Sequence, residues 1–122
     1  MTEYSLDVED LVHLRRIQSK LHAQAKDMGW HNKPREFGTM IALCHSELSE
    51  ALEGARKNMM DDHLTNRKMA EVELADCIIR ILDLAEREGF DIAGAMAEKH
   101  EYNRVRADHQ LSNREKEGGK SF

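Results

Sequence analysis

The sequence contains few of the residues that interrupt helices or cross-link small domains. Its 122 residues include one proline, seven glycines, two cysteines and six aromatic residues. Because β-branched residues never cluster into an alternating run, the pattern does not favour strands. Two cysteines in a chain without secretory features indicate reduced thiols, as in a cytoplasm, and not a disulfide framework. With seven methionines and so few aromatic residues, the core is predicted to be mostly aliphatic.

Long apolar runs and an excess of positive charge are also absent. No apolar run approaches the roughly 20 residues that span a bilayer, and the segment 1–7 lacks the basic and apolar regions of a signal peptide. The formal net charge of −5 argues against broad nucleic-acid binding, which needs a basic face. Charged residues at 34% and apolar residues at 40% are typical of one soluble helical domain. We therefore expect no membrane and no nucleic-acid partner.

Apolar residues at helical spacing predict four helices. Asp7 and Asp91 are suited to cap the first and fourth helices, because an aspartate can accept a hydrogen bond from the first turn. Gly29 and Pro34 bracket the break after the first helix, and Gly89 is a C-terminal stop for the third. The predicted spans are about 8–27, 36–57, 67–87 and 91–109.

The second and third predicted helices each carry an apolar stripe. The second helix presents Phe37, Ile41, Cys44, Leu48, Ala51 and Ala55, and the third buries Val72, Ala75, Ile78, Ile79, Leu82 and Ala85. The chain is predicted to form one domain over 1–110, followed by a polar tail at 111–122.

Two short carboxylate pairs are the most informative feature of the chain. Glu47 and Glu50 lie three residues apart on the second predicted helix, and Glu73 and Asp76 do so on the third. Residues at i and i+3 share a helix face, so each pair points two carboxylates the same way. Both pairs adjoin the apolar stripes, where unpaired charge is costly. If the helices pack side by side, the pattern predicts four converging acids that bind Mg²⁺ or Mn²⁺.

A second constellation lies on the fourth predicted helix. Lys99, Asn103 and Arg106 follow one another at i, i+4 and i+7. Alone they indicate a solvated basic stripe. Beside a tetra-acid metal site they suit a polyphosphate, because Lys supplies a point charge and Arg a fork of donors.

The loop before the second helix holds the only tryptophan, Trp30. One interpretation is a half-buried packing residue. The other is a wall on which a nucleobase stacks, with His31 or Asn32 addressing its polar edge. Asn32 and Arg35 are equally suited to contact phosphate or sugar, and the pattern does not rank these roles.

Other chemistry-bearing residues fit plainer roles. Cys44 and Cys77 lack zinc-site spacing and are interpreted as small buried hydrophobes. His45 precedes Glu47 without a second histidine at metalloprotease spacing. No GxSxG, P-loop or GxGxxG motif occurs. Asp108 and His109, which follow Arg106, are weaker candidates for a phosphate or metal contact. The histidines expected on the surface are His13, His22, His63 and His100.

Together these motifs resemble the MazG-like all-α nucleoside triphosphate pyrophosphohydrolases. The resemblance covers about 30–109 and includes ExxE, 22 intervening residues and ExxD. It also includes Trp-x-x-x-Pro-Arg ahead of the first acid helix and Lys-x-x-x-Asn on the last helix. In its compactness the chain is most similar to the small single-domain members, including those carried by bacteriophages.

The resemblance implies a four-helix bundle that assembles as a homodimer or homotetramer in the cytoplasm of a bacterium or of a phage's host. It implies that Lys99 and Asn103 hold a triphosphate. It further implies hydrolysis of a (deoxy)nucleoside triphosphate between the α and β phosphates, giving monophosphate and pyrophosphate. Among the candidate substrates we slightly favour purine deoxynucleotides such as dGTP, with dCTP and dUTP as alternatives. By position, the residues that correspond to magnesium ligands are Glu47, Glu50, Glu73 and Asp76.

The proposed chemistry also follows from the residue types. Two or three Mg²⁺ ions would bridge carboxylates and phosphate oxygens and activate a water for attack on the α phosphorus. Glu47 or Glu50 would accept the proton as the catalytic base, and the sequence does not decide which. Lys99 and Arg106 would steady the departing pyrophosphate.

Two other classes of protein remain open at this point. A di-iron or di-manganese carboxylate bundle would add Glu-x-x-His from two helices, and neither acid pair has such a histidine. A non-enzymatic helical interaction module would instead carry the acids as a solvated face, and magnesium would not stabilise its fold.

Overall fold

The computed structural model of the chain describes residues 2–106, and this part is all-helical. Its elements are α1 (Val8–Asp27), α2 (Phe37–Arg56), α3 (Met69–Glu88) and α4 (Ile92–Val105). Within these residues no strand forms, and one isolated bridge joins Met60 to Lys68. The prediction of four helices is confirmed, with the first three bounded within two residues of the expected positions. The predicted end of α4 near His109, the candidate Asp108 and the tail at 111–122 lie outside the described residues.

Side chains cap the starts of α1 and α4 as predicted. Asp7 Oδ1 accepts a hydrogen bond from the Asp10 backbone N–H at 2.9 Å, and Asp10 Oδ2 accepts one from the Asp7 N–H at 3.0 Å. This reciprocal pair satisfies two donors at the start of α1. Asp91 Oδ1 accepts from the Gly94 N–H at 3.1 Å. A hydrogen bond from Arg15 and the Gly94 contact hold the pKa of Asp91 at about 2.

Glycines in the left-handed region end α1 and α3. Gly29 has φ of 85° and Gly89 has φ of 72°. In each case the following residue's N–H, that of Trp30 or Phe90, bonds to a carbonyl five residues earlier. The glycine N–H itself bonds to a carbonyl three residues earlier, which completes a Schellman motif. The turn at Gly29 therefore fixes where the Trp30 loop leaves α1.

The described residues form two compact units. One contains 2–16 and 91–106, and the other contains 17–90. The first half of α1 thus belongs to one unit and its second half to the other. The division into a domain at 1–110 and a tail at 111–122 stays a prediction.

α2 and α3 pack as an antiparallel pair inside the 17–90 unit. Cys77 Sγ donates to the Cys44 carbonyl oxygen at 3.5 Å near the middle of the pair. At one end, Gly54 faces Met69 so closely that an added Cβ would lie 2.7 Å from its Cγ. The glycine therefore permits the close approach of the two helices. The α2 residues buried here are Met40, Cys44, Glu47, Ala51 and Gly54.

The predicted apolar stripes of α2 and α3 are partly wrong. Leu48 is 48% exposed and Ile78 is 57% exposed in the single chain, and Phe37 and Ile41 are exposed as well. Cys44 and Ala51 are shared by the predicted and observed faces, but the buried face of α2 is rotated toward Glu47. The small side chains on this face let the helices approach closely, which leaves the larger side chains outside. Ala55 and Ala75, which were also placed in the stripes, are exposed.

The buried apolar residues are aliphatic or sulfur-containing, as predicted. They are Ala25, Met40, Cys44, Ala51, Cys77, Leu82, Leu84, Ala85 and Ala93. Among the described helices, none is both long and apolar enough to cross a membrane.

Candidate metal centre

Three carboxylates converge where α2 faces α3. Oxygen atoms of Glu47, Glu73 and Asp76 all lie within 4.8 Å of one another. Glu47 is only 7% exposed, because it lies in the middle of the face that α2 presents to α3. Glu50, the fourth acid of the predicted site, is exposed at its rim. A set of carboxylate oxygens this close together is of the kind that holds a hard divalent cation.

The charges of this acid centre, defined as Glu47, Glu50, Glu73 and Asp76, are unbalanced. Hydrogen bonding with Glu47, burial and hydrogen bonding with Glu50 raise the pKa of Glu73 to about 8. Without a cation, Glu73 therefore keeps a proton near neutral pH and shares it with its neighbours. A divalent cation bound among these oxygens would take the place of that proton.

Arg80 supplies the positive charge that the sequence analysis did not assign to the site. Its Nε donates to Glu47 Oε1 at 3.0 Å. Burial alone would raise the pKa of Glu47, but hydrogen bonds from Glu73 and Arg80 outweigh it and lower that pKa. The Arg80 guanidinium also lies over the Trp30 ring, 5.3 Å from its centroid. Arg80 follows Asp76 by four residues, so helical spacing alone contained the signal that places both on one face.

Asp76 is held in a poorly solvated and negative environment. Burial, followed by the charge of Glu47, raises the pKa of Asp76, and Asp61 adds to the effect. Asp61 lies in the connection between α2 and α3 and is itself buried. Its Oδ2 accepts hydrogen bonds from the backbone N–H groups of His63 at 3.0 Å and Leu64 at 2.8 Å. The connection thus adds a further acid near the centre.

No family model, curated protein or solved structure matches this chain. Its candidate function therefore rests on the geometry of these residues and on the sequence motifs.

The three residues predicted to bind phosphate belong to the unit of 2–16 and 91–106. They are Lys99, Asn103 and Arg106. Lys99 Nζ lies 4.7 Å from the centroid of the Tyr102 ring. Asn103 Oδ1 is buried and has no hydrogen-bond partner within the described part of the chain. Asn103 lines a cavity of about 350 Å³ together with Thr2, Tyr4, Ser5, His100, Glu101 and Arg104. Arg106 directly follows α4. The roles assigned to these three residues stay predictions.

The residues predicted to contact a nucleobase or sugar are divided between two environments. Trp30 is half-buried beneath Arg80. His31 is also half-buried, and its Nε2 lies 2.8 Å from Oδ1 of the buried Asp83. Asn32 and Arg35 are exposed. Of this set, Trp30 alone is joined to the acid centre, through Arg80.

One of the four histidines expected on the surface is not a surface residue. His13, His63 and His100 are exposed, whereas His22 is half-buried and its Nδ1 lies 2.8 Å from Asp83 Oδ1. Periodicity alone does not reveal this contact, because it depends on which face of α3 the second half of α1 covers.

Both cysteines are buried free thiols, as predicted. Burial, together with the neighbouring Cys77, raises the pKa of the Cys44 thiol. Among the described residues, neither cysteine belongs to a group placed to hold a metal.

Proposed function

We propose that this chain is a Mg²⁺-dependent hydrolase that cleaves a (deoxy)nucleoside triphosphate between its α and β phosphates. The observation that carries the proposal is the convergence of Glu47, Glu73 and Asp76 on two facing helices. The ExxE and ExxD motifs that place these acids are the ones that resemble the MazG-like pyrophosphohydrolases. On this proposal the four helices adopt a MazG-like bundle.

The donor set suits magnesium. Carboxylate oxygens are the ligands that Mg²⁺ and Mn²⁺ prefer, and Glu47, Glu73 and Asp76 offer them without a nitrogen or sulfur donor. Glu50 extends the set at the solvent edge. Bound there, two or three ions would neutralise phosphate charge and acidify a water molecule.

Among the acids, Glu50 is the better candidate for the catalytic base. Glu47 is buried and hydrogen-bonded to Arg80, whereas Glu50 is exposed and adjoins Glu73. An exposed carboxylate that is not held by an arginine can accept a proton from the attacking water and release it to solvent. Glu47 then serves to hold the cation and to position Arg80.

The substrate contacts follow from the cationic and aromatic residues. Arg80 lies against Glu47 and over the Trp30 ring, so a nucleobase that stacks on this face of Trp30 would displace the guanidinium, which is proposed to move to the phosphates. Lys99, Asn103 and Arg106 are proposed to bind the triphosphate. Asn103 would contact the triphosphate through its side-chain N–H group, because its Oδ1, buried and without a partner in the described residues, is an acceptor and cannot bind phosphate oxygens.

A homodimer or homotetramer is the proposed assembly. Large apolar side chains stay exposed on both helices of the α2–α3 pair, and exposed apolar side chains in this number are expected at a protein interface. These side chains are Ile41, Leu48, Leu52, Leu74, Ile78 and Ile81. Sedimentation of Ile78→Asp beside the unchanged chain tests this: a smaller species is expected, and an unchanged mass would contradict the interface.

A nucleotide assay tests the enzymatic proposal. The chain is incubated with Mg²⁺ and each nucleoside triphosphate, beginning with dGTP, dCTP and dUTP, and pyrophosphate and inorganic phosphate are measured separately. Pyrophosphate release is expected, and Asp76→Asn should abolish it while Glu71→Gln should not. Glu71 is the matched control because it is an exposed acid of the same helix, paired with Arg67.

A second class of function has one observation in its favour. The exposed apolar face of α2 and α3 also suits a helical interaction module that binds another protein. If no nucleotide yields pyrophosphate and Mg²⁺ does not raise the melting temperature, the hydrolase proposal fails and this class stands.

A further inference from the structure

A second group of metal-ligating side chains lies outside the acid centre. Within residues 2–106, Asp83 is the largest side chain that is fully buried, at 0% exposure. Among the described residues, its ion-pair partners are the imidazoles of His22 and His31, and no lysine or arginine lies within ion-pair distance. A buried carboxylate must be hydrogen-bonded or paired, so Asp83 depends on the two imidazoles or on a cation held together with them.

The three side chains converge on one point. His22 Nδ1 and His31 Nε2 each lie 2.8 Å from Asp83 Oδ1, and His31 Nε2 also lies 3.0 Å from Oδ2. The two imidazole rings are tilted at 60° with centroids 4.9 Å apart. One ligand atom from each residue lies within 4.8 Å of the other two.

Local structure positions His22 and His31 beside Asp83 without a bound ion. His31 is positioned by the turn at Gly29, whose left-handed φ returns the chain after α1. His22 lies one helical turn after Gln18, whose Nε2 donates to Glu86 Oε1 at 2.9 Å and to the Phe90 carbonyl at 3.1 Å. These contacts hold the second half of α1 against α3, so the three ligands are already assembled.

We propose that His22, His31 and Asp83 bind one transition-metal ion, with Zn²⁺ as the representative of the class. Two imidazole nitrogens and one carboxylate oxygen form a donor set that suits Zn²⁺, Co²⁺ or Ni²⁺ and not Mg²⁺. Bonds of about 2.0–2.1 Å around a tetrahedral ion separate its ligand atoms by roughly 3.4 Å. The 2.8 Å contacts therefore need to open by only about half an ångström on binding.

The site also has access to solvent on one side. The His22 and His31 side chains are 17% and 18% exposed, while Asp83 is fully covered. An ion bound by three protein ligands would keep a fourth position for water or for a donor atom of a bound molecule. This site uses none of the acid-centre residues, so it stands or fails independently of the proposed hydrolase activity.

Zn²⁺ titration followed by NMR of the histidine rings tests the proposal. The Asp76→Asn variant is used so that the acid centre contributes less to metal binding. We expect one equivalent of Zn²⁺ to shift the ring signals of His22 and His31 and to leave exposed histidines such as His63 unchanged. Shifts confined to other histidines, or none at all, would overturn the proposal.

Ligand variants make the test sharper. His22→Gln and His31→Gln keep a side-chain donor for Asp83 and should each weaken Zn²⁺ binding by at least about tenfold, while His63→Gln should not. Co²⁺ in place of Zn²⁺ should give a visible absorption band of low-coordinate cobalt that either ligand variant removes. Unchanged Zn²⁺ affinity in the variant that carries both substitutions would overturn the proposal and leave the histidines only as hydrogen-bond partners of Asp83.

Discussion

The substitution Glu73→Gln tests whether the acid centre is under electrostatic strain without a cation. The pKa of Glu73 is raised from 4.5 to about 8, first by hydrogen bonding with Glu47. The folded chain therefore keeps a proton that the unfolded chain has released, and its stability must fall as pH rises from about 4.5 through about 8. Asp76, whose pKa is also raised, adds to the fall.

The size of this effect follows from the displacement of the pKa. One pKa unit corresponds to about 1.4 kcal/mol, so the whole displacement sets a ceiling of about 5 kcal/mol. Because Glu73 is half-buried and water screens its neighbours, we expect about 1–2 kcal/mol of this to be realised. For roughly 100 folded residues, that is a melting-temperature difference of about 5–10 °C.

Urea denaturation in a chelating buffer at several pH values measures the effect. The unchanged chain should lose stability between about pH 5 and pH 8, whereas Glu73→Gln should lose much less and be the more stable protein at the upper end. Glu71→Gln, an exposed acid of the same helix, should follow the unchanged chain. A flat profile for the unchanged chain, or the same slope for both variants, would refute the argument that these acids repel one another.

Three further predictions concern the same helix pair. Asp76→Asn should keep its helical circular dichroism but lose most of the Mg²⁺-induced rise in melting temperature, and an undiminished rise would place the cation elsewhere. Gly54→Ala should cost about 1–3 kcal/mol in chemical denaturation, because the added Cβ meets Met69 Cγ at 2.7 Å. Met69→Ala in the same chain should recover part of that loss, and no recovery would point to another contact. Arg80→Gln should raise the pKa of Glu47 in a carbon-13 titration of the carboxyl groups, since it removes the charge that opposes burial.

The helices were largely predictable from the sequence because their ends depend on local chemistry. Asp7 and Asp91 accept hydrogen bonds from the first turn of their helices, and Gly29 and Gly89 adopt the left-handed conformation that ends one. These interactions span at most five residues, so spacing along the chain was enough to find them.

Which face of a helix is buried was less predictable. Leu48 and Ile78 fit an apolar stripe as well as the buried residues do, yet both are exposed in the single chain. When apolar residues surround most of a helix, the contact face is decided by how closely the backbones can approach. Gly54 against Met69 is the contact that fixes this approach, and it joins residues on two elements.

The candidate site was predictable only where two of its residues lie at helical spacing on the same helix. Spacing placed the acids of each pair on one face of α2 or of α3, and the prediction that the pairs meet assumed that these two faces pack together. Arg80 shares that face, but its partners Glu47 and Trp30 lie on other elements. Their meeting depends on the register between elements, which no local pattern contains.

Arg80 contacts both the acid centre and the ring of Trp30. Its guanidinium bonds to Glu47 and lies over the Trp30 ring at the same time. A cation that drew Glu47 away from Arg80 would therefore also change how the guanidinium covers the Trp30 indole. If cation binding changed the affinity of Trp30 for a flat ring, that ring would change the affinity of the acids for the cation by the same factor. On the proposed function, the two binding events would thus be energetically coupled through one side chain.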